Sequence, residues 1–134
     1  MKLSILDQSV AIANKCQDQV INDTLNLSIM AEEFGYSRFW ISEHHNHPTI
    51  IGTAPEVLMA AIAAKTNKIR IGSAGIMLPH YSPFKVAEQF RVLNSLAPNR
   101  IDLGLGRAPG SDGRTALALN SNNREFSENF PSHV

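Results

Sequence analysis

The chain has one cysteine, no excess of charge of either sign and no long apolar run. Cys16 alone rules out an internal disulfide and suits a reducing compartment. Lysine and arginine number 12, as do aspartate and glutamate, so the formal net charge is +0. That balance presents no basic surface to nucleic acid or to an anionic membrane. No stretch is apolar for long enough to span a bilayer. The opening MKLSILDQS lacks the apolar core and small-residue cleavage site of a signal peptide. These absences predict a water-soluble, cytoplasmic protein. Two nucleotide signatures are missing as well. Asp7-Gln8-Ser9 stands where a dinucleotide fingerprint would follow the first strand, and there is no Walker phosphate loop. A loose GxGxxG spacing at Gly104, Gly106 and Gly110 runs into loop rather than helix.

What the chain does have is an alternation of apolar patterns. Its 134 residues, 43% of them hydrophobic, suffice for one domain that buries roughly two thirds of its unfolded surface. Leu3–Leu6, Ser37–Ser42, Ile69–Gly75 and Ile101–Gly106 read as strands, with a helix expected between each pair. Val10–Asp23 reads as a long loop. Thr24 is then expected to cap a helix that buries Leu27, Met30, Ala31 and Phe34 and stops at Gly35. Pro55 opens a second helix with Val57, Ala60, Ala61 and Ala64 on one face. Ser82-Pro83 opens a third, whose buried face is Val86, Phe90, Leu93 and Ala97. A short helix is expected near Thr115–Leu119, Asn120–Val134 carries little core signal, and the tail 113–134 is expected to be weakly ordered. The β–α repetition implies an α/β protein with parallel strands and right-handed crossovers. An open doubly wound sheet and part of a closed barrel both satisfy it.

The chemistry concentrates in Ile41–Pro48, ISEHHNHP, just past the second strand. Strand ends are where parallel α/β folds place reacting groups, and imidazole titrates near neutrality. His44 and His45 are adjacent, so on extended backbone they point to opposite faces and cannot serve equally. His47, before Pro48, reads as a solvent-facing loop residue. A metal site built from Glu43, His44, His45 and His47, with His80 added, is the competing reading. It would make the chain a metal-dependent barrel hydrolase, but the spacing matches no recognised metal signature.

Several segments together resemble the luciferase-like flavin-dependent monooxygenases, in the subgroup called LLM class oxidoreductases. They are Glu33–His45 (EFGYSRFWISEHH), Ile69–Gly75 (IRIGSAG) and Arg100–Arg107 (RIDLGLGR), with Pro79–Pro83 (PHYSP) and Ala87–Phe90 (AEQF) between them. The resemblance runs in order over about residues 1–112 and implies the N-terminal half of a TIM (β/α)8 barrel. It implies FMN, or a deazaflavin, as cofactor, with oxygen and a small organic molecule as substrates. A flavin reductase and a homodimer formed through the early helices are implied partners. His44 corresponds to the family's acid/base histidine, with His45 orienting it or meeting substrate. Glu43 would hold the backbone facing the flavin. Ser73, Ala74 and Gly75 would let a flat ring approach, with a cis peptide among Gly72-Ser73-Ala74. Gly106 would clear room beside Arg107, whose guanidinium suits the FMN phosphate. Asp102 reads as an interior or ion-paired residue. Four strands are half of such a barrel, so the chain by itself is expected to be inactive. A non-catalytic fragment that associates through its open sheet edges is the remaining alternative.

Overall fold

A computed structural model describes all residues, Met1 to Val134. In chain order its elements are β1 (Ser4–Asp7), α1 (Gln17–Glu33), β2 (Arg38–Ile41), α2 (Pro55–Lys65), β3 (Arg70–Ser73), β4 (Ile76–Met77), a 3-10 turn (Leu78–His80), α3 (Pro83–Leu96), β5 (Ile101–Asp102), β6 (Leu105–Gly106), α4 (Gly113–Leu119) and α5 (Asn123–Glu128), with a 3-10 turn at Phe130–Ser132. β1, β2, β3 and β5 form one parallel sheet in that order, and β4 pairs with β6 in a small second sheet. Asp7 stands opposite Ile41, and Ile41 opposite Ser73, so the first three strands end level.

Alternation along the strands divides the sheet into two faces. Phe39, Ile41 and Ile71 point to the helices and are fully buried, as are Met59 and Ile62 on α2. The other face carries Leu6, Trp40, Gly72 and Asp102 in one register row, with Arg38 and Arg70 in the row before it. This inner face has no helix over it. Asp102 accepts from Arg38 Nε (3.1 Å), from Trp40 Nε1 (3.3 Å) and from the Arg70 guanidinium, so it is the ion-paired interior residue its position suggested. Gly72 is required here because a Cβ would lie 2.6 Å from the Trp40 ring.

Helix α3 buries Val86, Phe90 and Leu93, with Ala97 just beyond it, as its spacing predicts. The other two large helices differ from expectation. α1 starts at Gln17, so the expected loop to Asp23 is shorter and Thr24 is not a cap. The Gln19 side chain accepts from the Cys16 N–H (3.1 Å) at the true start. Thr24 is buried in mid-helix and donates to Asp7 Oδ2 (2.7 Å), tying α1 to the end of β1. The sheet-facing side of α1 is Val20, Thr24, Ser28 and Ala31. Of the expected face only Ala31 is buried; Leu27, Met30 and Phe34 are 37, 47 and 73% exposed. Small side chains let the helix lie close to the sheet, which leaves the bulkier stripe outside. On α2 the buried residues are Pro55, Leu58, Met59, Ile62 and Ala63, while Val57 and Ala64 are exposed. The larger side chains take the buried side because they remove more apolar area from water.

The expected third and fourth strands each break in two. β3 gives way at a cis peptide between Ala74 and Gly75, one bond later than expected, before β4 begins. Residues 113–134 hold α4 and α5, in which Ala116 alone is buried. Asp112 caps α4 by accepting from the N–H groups of Arg114 (2.9 Å) and Thr115 (3.1 Å).

Candidate active site

β1, β2 and β3 run parallel and end level, so the residues that follow them gather at one rim; β4 and β6 pair parallel in the second sheet. The Ala74 N–H donates to the Ile41 carbonyl (2.8 Å), which joins the ends of β2 and β3. Two residues beyond Trp40 and Gly72, the same alternation places Ser42 and Ala74 on the inner face. Ser42 is 5% exposed and its hydroxyl has no partner. His44 is half-buried, its N–H donates to the Gly52 carbonyl (3.4 Å), and its ring stands edge-on to His47 at 5.7 Å.

Glu43 is fully buried and accepts three hydrogen bonds. They come from the Tyr81 hydroxyl (2.6 Å), the Met77 N–H (2.9 Å) and His45 Nε2 (2.6 Å). A carboxylate has the lone pairs to take all three. Burial first, and then the Glu43 hydrogen bond and charge, push the Tyr81 hydroxyl well above the ordinary phenol range. Glu43 therefore joins β2 to β4 and to the start of α3. That bond commits His45 Nε2, whereas the His44 ring makes only the edge contact with His47.

His80 is 6% exposed and donates through Nε2 to the Pro109 carbonyl (2.6 Å), while the His45 N–H donates to the Gly110 carbonyl (2.9 Å). Asn46 bonds Asp112 (3.2 Å) and Thr115 (3.0 Å). These bonds fasten the histidine loop to the loop after β6. His47 Nδ1 accepts from the N–H groups of Thr49 (3.3 Å) and Ile50 (3.2 Å), so it closes its own turn. No three histidine, cysteine or carboxylate groups converge in metal-binding geometry, which removes the support for the hydrolase reading.

The small residues of the rim work mainly between strands. Ser73 Oγ donates to the Gly104 carbonyl (2.9 Å) and accepts from the Gly104 N–H (3.1 Å). A Cβ on Gly75 would lie 2.9 Å from Gly104 O, and one on Gly106 would lie 2.9 Å from the Met77 methyl. Ser73, Gly75 and Gly106 thus set backbone spacing, while Ala74 is the half-exposed member of the run. Arg107 is exposed beyond β6, and its Nε donates to the Ser127 carbonyl on α5 (2.8 Å). Tyr81, Met77 and Ser42 were not singled out from the sequence. Only Ser42 had a readable signal, its even spacing from Trp40.

The luciferase-like monooxygenase family model matches residues 1–127. The chain belongs to the luciferase-like monooxygenase family. Among its curated relatives, the uncharacterized protein YwcH of Bacillus subtilis is 49% identical over 134 residues, which is all of this chain and 40% of YwcH. The N-acetyl-S-alkylcysteine monooxygenase of the same species is 56% identical over 110 residues, 82% of this chain and 33% of that enzyme. The chain thus spans well under half the length of these luciferase-like relatives. Of solved structures, apo-MsnO8 has a TM-score of 0.87 at 42% identity, covering 90% of this chain and 36% of MsnO8. The oxygenating component of 3,6-diketocamphane monooxygenase from Pseudomonas putida, solved with FMN, has a TM-score of 0.82 at 21% identity. It covers 96% of this chain and 36% of that protein, a likeness of fold. The parallel α/β arrangement is accordingly that of a partial TIM barrel. No helix is long and apolar enough to cross a membrane.

Proposed function

We propose that this chain forms the flavin-facing rim of a monooxygenase that oxidises a small organic substrate with reduced FMN and oxygen. The observation that carries the reading is the common rim. His44 and Ala74 follow the parallel strands β2 and β3, and Arg107 follows β6, whose loop the His45 N–H reaches at the Gly110 carbonyl (2.9 Å). A flat ring fits the inner side of that rim. Ala74 offers a small half-exposed surface, and Ser42, at the end of the neighbouring strand, has a buried hydroxyl without a partner. Bound reduced flavin would supply the oxygen-activating chemistry. His44 would hold or move a proton beside the substrate, since imidazole is suited to either role near neutral pH. Glu43, Ser73, Gly75 and Gly106 would serve the cofactor by fixing the backbone under it. Arg107 would offer the outer end of its guanidinium to the phosphate.

The partners follow from the same reading. Reduced flavin must come from somewhere, and a separate flavin reductase is its natural source. A homodimer is proposed through α2 and α3, where Val57, Phe84, Val92 and Leu96 are 58 to 75% exposed. FMN and riboflavin titrations, followed by flavin fluorescence, test the cofactor. Arg107→Gln should weaken FMN binding about tenfold, roughly one charge-assisted hydrogen bond, and leave riboflavin binding unchanged. Equal loss for both ligands would remove Arg107 from the phosphate. Binding of a deazaflavin in place of FMN would reassign the cofactor.

A further inference from the structure

The chain is neutral overall, with 12 basic and 12 acidic residues, yet its cations are not spread evenly. A groove of about 360 Å³ lies at the end of the sheet where the strands begin, opposite the rim that carries His44. That volume falls within the roughly 300–1,000 Å³ of small-ligand sites. Four cations line the groove: Lys2 ahead of β1, Arg38 at the start of β2, Lys68 just before β3 and Arg70 at its first residue. β2 lies between β1 and β3, so the two lysines flank Arg38.

Two carboxylates stand with these cations, and both are committed inside the fold. Glu32 accepts from the N–H groups of Asn67 (3.0 Å), Lys68 (2.5 Å) and Ile69 (2.7 Å). Asp102 is shared by Arg38, Arg70 and the Trp40 N–H. Four cations against two carboxylates leave two positive charges in excess. The donors left over can be named. Lys2 and Lys68 take part in no ion pair. Arg38 uses only Nε, so both its terminal nitrogens are free on a side chain that is 38% exposed. Arg70, by contrast, spends its guanidinium on Asp102 and on the Asn99 and Ile101 carbonyls. The C-terminus of α1 also ends at this groove, where a helix presents partial negative charge. Its carbonyls at Met30, Ala31 and Glu32 are taken by the N–H groups of Phe34, Tyr36 and Gly35, which blunts that opposing field.

We infer that this groove binds a small anion of the phosphate class carrying two negative charges or more. The free edge of the Arg38 guanidinium is a fork that matches two phosphate oxygens. Lys2 and Lys68 act as point charges from either side. The site lies at the opposite end of the strands from the rim and is independent of the flavin chemistry.

Titration calorimetry of the full chain with inorganic pyrophosphate tests it. One site is expected, with a dissociation constant below about 1 mM, weakening as salt is raised. Lys68→Gln and Lys2→Gln, which break no ion pair, should each weaken binding about fivefold. Arg38→Gln should weaken it at least about tenfold. Arg38→Lys, which keeps the charge without the fork, should lose less. Lys85→Gln on α3 and Arg107→Gln at the rim should bind pyrophosphate as the unchanged chain does. No binding, or binding indifferent to Lys2, Lys68 and Arg38, overturns the site. An equal loss in Lys85→Gln makes the attraction non-specific and overturns it too, and loss in Arg107→Gln moves the anion to the rim with the same result. Succinate bound as tightly as pyrophosphate overturns the phosphate class. AMP bound more tightly than pyrophosphate supports a phosphate ester as the occupant, and the reverse supports an inorganic anion. The FMN titration turns on Arg107 and this one on Lys2, Arg38 and Lys68, so either conclusion can fail without the other.

Discussion

Glu43 illustrates how one buried carboxylate can join segments far apart in the chain. The sequence places it next to His44, and the family resemblance implies that it holds the backbone facing the flavin. In the structure its carboxylate accepts from the Met77 N–H, the Tyr81 hydroxyl and His45. Two of those partners lie 34 and 38 residues further along the chain, so no local pattern could announce them. Glu43→Gln keeps the shape but replaces acceptor capacity with an amide donor, leaving at least one buried donor unpaired. A loss of about 1–3 kcal/mol of stability in urea denaturation is expected. No loss would mean the three bonds are not maintained in solution. The histidines sort by the same logic. His45 is committed to Glu43, His47 to its own turn and His80 to Pro109, and His44 is the one left at the rim.

At the scale of the element, α3 was legible and α1 was not. α3 carries one apolar stripe, Val86, Phe90 and Leu93, against a polar remainder, so its period has a single solution. α1 carries two stripes. The sheet-facing one contains Thr24 and Ser28, polar residues that are buried because each finds a hydrogen bond. The more hydrophobic stripe faces outward, and a rule that buries the apolar side selects the wrong one. α2 fails for a related reason, since alanine on every side gives its period no direction. Ile62, fully buried on α2, is the central test of this packing. Ile62→Ala should cost about 2–5 kcal/mol, the range for deleting a large aliphatic side chain from a core. Val57→Ala on the exposed side should change monomer stability by less than about 0.5 kcal/mol. Denaturant midpoints of the two variants separate the observed face from the expected one.

For the whole molecule, electrostatics set a lower limit on pH. Four carboxylates, Asp18, Glu32, Asp102 and Asp112, ionise more readily in the fold than in the free chain. Asp102 does so although burial opposes it, because Arg70, Trp40 and Arg38 outweigh the burial. Burial also opposes Glu32, and the N–H groups of Ile69, Lys68 and Asn67 with the Arg100 charge overcome it. Asp112 is held at about 2 by Thr115, through its hydroxyl first and then its N–H, and by Asn46. A group whose folded pKa is lowered contributes stability that is complete above its unfolded value. That contribution is lost as pH falls through the folded one. Stability should therefore be flat at neutral pH with respect to these groups and decline below about pH 4, the ordinary carboxylate range. Asp102→Asn should lower the melting temperature at pH 7 and flatten the decline between about pH 4 and pH 2. A variant that melts as the unchanged chain does at pH 7 would show that the Arg38–Asp102–Arg70 cluster contributes nothing to the fold.

The sequence by itself determined the alternation of strand and helix, the parallel sheet that follows from it, and the family. Those depend on local periodicity and on contiguous segments such as ISEHH and IRIGSAG. Only the tertiary structure decided which face of α1 and α2 is buried, where the expected third and fourth strands break, and which rim residues are bonded into the frame. Those outcomes turn on hydrogen bonds and close backbone approaches between residues some thirty to forty positions apart, as Ser73 with Gly104 and Glu43 with Tyr81 show. Spacing along a chain carries no record of such pairings until the strands have been laid side by side.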